Sequence, residues 1–270
     1  MDRIPRADTV TTLPAFTTLG GGPTVLMLHG TAGGHLAFAP QVETLANAGY
    51  RAVAWDMPGY GHSAPIEPYT FKGLARSCIH LIEMLRCEDV ALLGHGMGGM
   101  VAQEVAARRP DLVRRLVLCG TLAAFEGGEE AGRAYIAQRT RLLDAGRSMA
   151  EIADVVVPQL VGPGSLPEGV RLAVHCMGQV PPSTYRRALE CEVSFDRRDS
   201  LARIHVPTLL VAGEHDRLAP PAAMKAMADS IPHGRLHAMR GVGHLQNLEA
   251  PEDFDGLLLD FLAQPAPLLH

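Results

Sequence analysis

Lysine is almost missing from this chain. Only Lys72 and Lys225 occur among its 24 lysines and arginines, and the formal net charge is −5. With no basic field to hold phosphates, neither nucleic acid nor an anionic membrane surface is an expected partner. The shortage of lysine reads as a bias of genome composition, and no function is drawn from it. The cysteines are ill-spaced for chemistry. Cys78, Cys87, Cys119, Cys176 and Cys191 are odd in number and include no C-x-x-C pair. Neither a disulfide framework nor a zinc site is therefore expected, and a reducing cytoplasm is the plain reading. No run of eighteen apolar residues exists, which leaves nothing to cross a bilayer as a helix. Residues 1–20 are polar and threonine-rich with no apolar stretch, so a secretory signal is not expected there.

What is present is a chain of 270 residues, 47% hydrophobic and 20% charged, enough for one α/β domain with an inserted segment and a sizeable core. Residues 1–122 alternate apolar runs with helical patterns. Thr24 to Leu28, Arg51 to Trp55, Val90 to Leu93 and Leu116 to Cys119 read as strands buried on both faces. Between them, Phe38 to Ala48, Phe71 to Arg86 and a stretch ending near Arg109 read as helices, with Gly49 and Pro110 as stop signals. Residues 123–200 lose the alternation. They read as four short amphipathic helices, Glu129 to Ala145, Ser148 to Val157, Glu168 to Gly178 and Ser183 to Cys191. Residues 201–270 restart the pattern: strand Thr208 to Ala212, helix Pro221 to Asp229, strand Leu236 to Met239, helix Pro251 to Leu262. The expected architecture is a mostly parallel central sheet with helices on both faces, its two halves separated by a helical cap at 123–200.

Functional groups of a parallel sheet gather beyond the C-terminal strand ends. Four such loops stand out. Gly94-His95-Gly96-Met97-Gly98-Gly99 follows a strand and opens a helix, the context of a G-x-S-x-G nucleophile elbow. Small residues sit at the flanking positions where strand and helix must approach. The central position is Gly96, which has no side chain to attack with. Gly213-Glu214-His215-Asp216 follows a strand and offers Asp216 as a carboxylate to orient a histidine; Gly241-Val242-Gly243-His244 offers that histidine. Elbow, acid, then histidine is the chain order of α/β-hydrolases. His29-Gly30-Thr31-Ala32-Gly33-Gly34 can aim a backbone N–H at a developing oxyanion. Thr31 is the expected donor there, Met97 the second, and His29 a structural brace. His233 and His237 share i, i+4 spacing but approach a strand, so no metal site is expected. His35, His62, His80, His175, His205 and His215 show no coherent partner set.

These loops, together with Trp55-Asp56-Met57-Pro58-Gly59-Tyr60-Gly61-His62-Ser63, resemble the α/β-hydrolase superfamily. Within it, the chain is similar to small bacterial esterases and to enol-lactone hydrolases of the 3-oxoadipate enol-lactonase kind. The resemblance spans about residues 23–262, weakest in the 123–200 insertion, and its motifs specify the fold better than the substrate. It implies a Ser–His–Asp triad with no cofactor and a cap that selects a small-molecule substrate, here a carboxylic ester or lactone. His244 matches the base, Asp216 the acid, and Gly96 the nucleophile position, where the serine is replaced. Three readings stay open. The chain is a hydrolase whose nucleophile has been removed. Or His244 and Asp216 work as a dyad without a covalent intermediate, activating water or serving a lyase or cofactor-independent oxygenase step. Or the chain is a non-catalytic small-molecule binding protein. Any protein partner is expected to be a second copy of the chain, in a homodimer.

Overall fold

The computed structural model describes residues 13–265. Within them seven strands form one sheet: β1 (Phe16–Leu19), β2 (Thr24–Leu28), β3 (Arg51–Trp55), β4 (Val90–His95), β5 (Val113–Cys119), β6 (Thr208–Gly213) and β7 (Gly234–Met239). Their spatial order is β1-β3-β2-β4-β5-β6-β7, and every pairing is parallel except the antiparallel β1–β3 edge. Among the described residues ten α-helices accompany them: α1 (Ala39–Asn47), α2 (Phe71–Met84), α3 (Met97–Arg108), α4 (Gly128–Asp144), α5 (Met149–Val156), α6 (Pro167–Gly178), α7 (Pro182–Glu192), α8 (Pro221–Asp229), α9 (Gln246–Glu249) and α10 (Pro251–Ala263).

The continuous apolar runs follow from burial on both faces. Side chains alternate across a strand. Leu26 and Leu28 of β2 therefore join one core, with Leu74, Leu81 and Ile82 of α2 and Val101 and Val105 of α3. Val25 and Met27 point the other way, into a second core with Leu45 of α1 and Phe254, Leu258 and Phe261 of α10. β3, β4, β5 and β6 divide their residues between the two cores in the same way. Each large apolar side chain buried this way contributes about 1.5–3 kcal/mol relative to exposure.

The structure adds α9 and starts β7 at Gly234, two residues before its apolar run, and departs from the expectation at two further strands. Strand β1 lies in the polar stretch 1–20, because pairing with β3 at the sheet edge demands backbone groups rather than apolar side chains; Phe16 and Leu19 remain exposed. Strand β5 begins three residues earlier than its apolar run, at Val113. The four helices anticipated within 123–200 all form, each within two residues of its expected bounds. The base of that segment is drawn together by a bridge between Ala124 and Asp196.

Sheet order reverses around β2. The chain moves outward from β2 to β3, then crosses back to β4 on the far side. The crevice between the ends of β2 and β4 is where an open α/β sheet offers a site. Those two strand ends are His29-Gly30 and His95-Gly96.

Candidate active site

The turn at Gly96 is shaped by crowding. A Cβ on Gly98 would lie 2.0 Å from the Leu28 carbonyl oxygen, and one on Gly94 would lie 2.4 Å from that of Gly98. Only glycine at both positions lets β4 pass into α3 at this distance from β2. Gly96 is different. Its backbone sits at φ 53°, ψ −121°, a conformation that side-chain-bearing residues adopt only under strain. Yet a Cβ there would meet nothing closer than Gly30 Cα at 3.6 Å, with His244 Nε2 at 3.7 Å and the Gly120 carbonyl at 4.0 Å. The position is strained but roomy, and it faces an imidazole.

His244 is held on all sides. Its Nδ1–H donates to Asp216 Oδ2 at 2.9 Å, which turns Nε2 toward Gly96. Its own N–H donates to Leu160 O at 2.7 Å, and its carbonyl accepts from His95 Nε2 at 2.7 Å. Asp216 is 4% exposed, and its Oδ1 accepts from Leu218 and Ala219 N–H at 2.8 and 3.0 Å. Burial alone would raise the Asp216 pKa; the His244 charge and hydrogen bond, with the two amides, outweigh it and hold the carboxyl below its usual range. For His244, burial favours the neutral ring, but the Asp216 charge and hydrogen bond win and raise its pKa.

The two other ring systems titrate in the opposite direction. Burial lowers the pKa of His95 and of His29 to about 4 each. His29 donates from Nδ1 to Gly30 O at 2.8 Å and accepts the Met57 N–H on Nε2 at 2.9 Å. It braces the loop that carries Thr31, whose carbonyl is also held by the Tyr60 hydroxyl at 2.9 Å. Thr31 and Met97 line the same pocket as Gly96 and His244. Met97 opens α3, so its N–H has no carbonyl within the helix to serve. Among the described residues neither amide is taken by another acceptor.

Gly96, Met97, Thr31 and His244 line one pocket. Asp216 lies behind the ring. The far wall is mainly apolar and comes from residues 123–200, including Val156, Ala173, Met177 and Leu189. Sequence reasoning missed the carboxyl in that wall. Glu192, at the end of α7, accepts a hydrogen bond from Thr31 Oγ1 at 3.2 Å. Burial raises its pKa, against the Arg139 charge and contacts from Thr31 and Tyr135. No motif marks it, because it reaches the site only through the packing of α7. The expectation that His35 lacks a partner is corrected: its Nδ1 and N–H both meet Asp56 Oδ1, at 2.9 and 3.0 Å. Those two residues are 21 positions apart and meet only because β3 ends beside β2. Among the described residues no group of three His, Cys, Asp or Glu is arranged to hold a metal, and no helix is long and apolar enough to cross a membrane.

A glycine-tight strand-to-helix turn at the switch point of a parallel sheet, with a buried His–Asp pair aimed at it, defines an α/β-fold hydrolase architecture. The chain belongs to the alpha/beta hydrolase fold family, whose model matches residues 23–251. Similar proteins are named as hydrolases of several kinds. The RutD protein of Azorhizobium caulinodans, whose name assigns it carbamate hydrolysis, is 28% identical over 91% of this chain and 93% of its own. A thermophilic esterase from Thermogutta terrifontis superposes with a TM-score of 0.83 at 28% identity, covering 92% of both chains. The enol-lactonase of Burkholderia xenovorans LB400 superposes at 0.82 with 25% identity, covering 93% of this chain and 96% of its own.

Proposed function

We propose that this chain is a hydrolase of small carboxylic esters or lactones in which glycine occupies the nucleophile position. His244 is the general base, Asp216 its orienting acid, and the N–H groups of Thr31 and Met97 form the oxyanion hole. Residues 123–200 are the cap that selects the substrate. One observation carries this reading: a Cβ at position 96 would stand 3.7 Å from His244 Nε2 with no atom in its way. A serine hydroxyl on that Cβ would be within hydrogen-bond reach of the base. The intact His244–Asp216 bond of 2.9 Å would serve no purpose in a pocket that only binds.

The geometry also favours a second reading for the chain as it stands. The space beside Gly96 accommodates a water as readily as a hydroxymethyl group, and His244 Nε2 borders it. The pair then works as a dyad, deprotonating water for direct attack on the acyl carbon.

The deciding experiment compares the chain with Gly96→Ser on short acyl esters, lactones and a carbamate. Loss of a serine nucleophile costs about 10⁶-fold in turnover in a serine protease, with about 10³–10⁴-fold over water remaining. Restoring it should raise kcat by at least about 10³-fold. Because the His244 pKa is raised, activity should be weak at acid pH and climb as the ring loses its proton above its ordinary value of about 6.5. If Gly96→Ser gains nothing while His244→Ala abolishes activity already present, the dyad reading replaces the first. Tight ligand binding without turnover in any variant would leave only a binding protein.

A further inference from the structure

Glu249 ends the short helix α9, five residues beyond His244, and is 1% exposed. Its Oε1 accepts from Leu245 N–H at 2.7 Å. Its Oε2 accepts from Gly243 N–H at 2.7 Å, Gly162 N–H at 2.7 Å and Ser165 Oγ at 2.5 Å. The three amides can only donate, so the group serves them as an acceptor; the Ser165 hydroxyl, also 2.7 Å from Gly162 O, has one proton for the two oxygens. A carboxyl group buried this deeply is costly unless its lone pairs are met. Here they are met by just two loops. One is 243–245, with His244 at its centre; the other is 162–165, between α5 and α6.

The two loops also touch backbone to backbone. His244 N–H donates to Leu160 O at 2.7 Å, and Gly164 N–H to Gly241 O at 2.9 Å. A Cβ on Gly243 would lie 2.3 Å from Leu160 O, and one on Gly162 would lie 2.3 Å from Gly241 O. The amides on both sides of His244 thus end on one side chain, which also grips the loop from residues 123–200. Only the ring's own torsions remain, and Asp216 sets those.

We propose that Glu249 is a positioning residue: it fixes the His244 loop and locks it to the 160–165 loop, so that the aim of the imidazole depends on how the 123–200 segment sits. This rests on His244 being the base. It assigns the segment that walls the pocket a second task, holding the base in line. A segment that lifts would draw Leu160 O and Gly162 N–H away and slacken the ring on Asp216.

The test uses the chain as it stands. Glu249→Gln keeps the shape but puts an amide N–H₂ against a donor, whichever way it turns. Histidine titrations are followed by NMR, with His244→Ala assigning the resonance. The groups that face His244 are Asp216 after β6, His95 at the end of β4, Glu192 on α7 and Arg139 on α4, and none of them is altered. In the parent, His244 should titrate above its ordinary value; in Glu249→Gln it should fall by about one pH unit, as the ring drifts from Asp216. Leu81→Ala, in the buried face of α2, serves as a remote destabilised control and should leave the titration in place. If Glu249→Gln loses stability as Leu81→Ala does but moves His244 by less than about 0.2 unit, Glu249 is merely structural and the proposal falls. Should Glu249→Gln fail to fold, Ser165→Ala removes one donor and spares the loop beside His244. Amide exchange at Gly243 and Leu245 should then quicken by about 10-fold; unchanged exchange would overturn the coupling. Since titration and exchange need no turnover, an inactive Gly96→Ser protein would sink the hydrolase reading without touching this result.

Discussion

The two walls of the pocket are built by different rules. The wall made by strand ends is fixed through the backbone. Gly94, Gly98, Gly213 and Gly243 each lie so near another chain segment that a Cβ would fall within 2.4 Å of a carbonyl oxygen. Its polar side chains, His29, His95 and Asp216, are buried and bonded. The wall made by residues 123–200 is held mainly by side chains, with backbone contacts to the first wall from the stretch 160–169. Its helices present apolar faces to the pocket, and the ion pairs Arg133–Glu129 and Arg171–Glu168 lie in solvent. The contrast teaches where chemistry and where choice can reside. Groups that must keep a fixed aim sit on the first wall, and the helices of the second can be rebuilt without disturbing them as long as the 160–165 loop keeps its hold on the His244 loop.

The sharpest way to break the contrast is to add one carbon to the first wall. Gly98→Ala would place its Cβ 2.0 Å from Leu28 O and 2.6 Å from His29 O. Both are backbone atoms of the strand end that carries the Thr31 loop, so nothing flexible can yield. The expected loss is at least about 4 kcal/mol, seen as failure to fold or a collapsed denaturation midpoint. A small loss there would mean that β4, α3 and β2 are not as closely packed as described.

Acid probes the same wall without mutation. His29 and His95 have pKa values lowered to about 4 in the fold, against about 6.5 in the unfolded chain. A histidine held neutral in the fold stabilises fully above its unfolded value, and that contribution is lost as pH falls from about 6.5 to about 4. Each ring then costs up to about 3 kcal/mol at the lower limit. His244 has the opposite sign: its raised pKa stabilises below about 6.5 and is lost as pH rises through the folded value. Asp216, lowered in the fold, adds stability that is lost only as pH falls through its folded value. Denaturant midpoints should therefore drop between pH 6.5 and 4, and a His95→Asn protein should drop less. A flat profile would mean that these rings are not buried neutral.

Much of the first wall was legible in the sequence, and for a physical reason. Strands buried on both faces must be apolar throughout, so Thr24–Leu28 and Thr208–Gly213 announce themselves. Turns that crowd a backbone must be glycine, so the loops at 96 and 244 do too. What escaped was of two kinds. Strand β1 is polar because an exposed edge needs no apolar side chains. Contacts made across the fold leave no local pattern: His35 meets Asp56, Thr31 meets Glu192, and Glu249 meets Gly162. The helices of 123–200 could be read from their amphipathic spacing, but the pocket they wall could not, because it depends on how four helices settle together.

Gly96 is the point where the two rules meet, and it sharpens the comparison at lower cost. Its φ of 53° strains any side chain, although the space beside it is open. Gly96→Ser should destabilise by about 1–3 kcal/mol, a loss that accompanies the gain in turnover. An unchanged or higher melting temperature would mean that the turn carries no strain.

The second wall should answer with almost nothing when its surface pairs are cut. Arg133 and Glu129 stand four residues apart on α4, with side chains 66% and 86% exposed. In water the attraction between such charges is weak, and holding two long side chains together offsets much of it. Arg133→Gln should leave the melting temperature within about one degree of the parent, in low salt and in high. A larger shift would show that α4 depends on its solvent face for its place over the pocket. The helices of residues 123–200 would then be held by more than the apolar contacts that face the site and the 160–165 loop, and the distinction between a wall fixed by backbone and a wall fixed by packing would have to be redrawn.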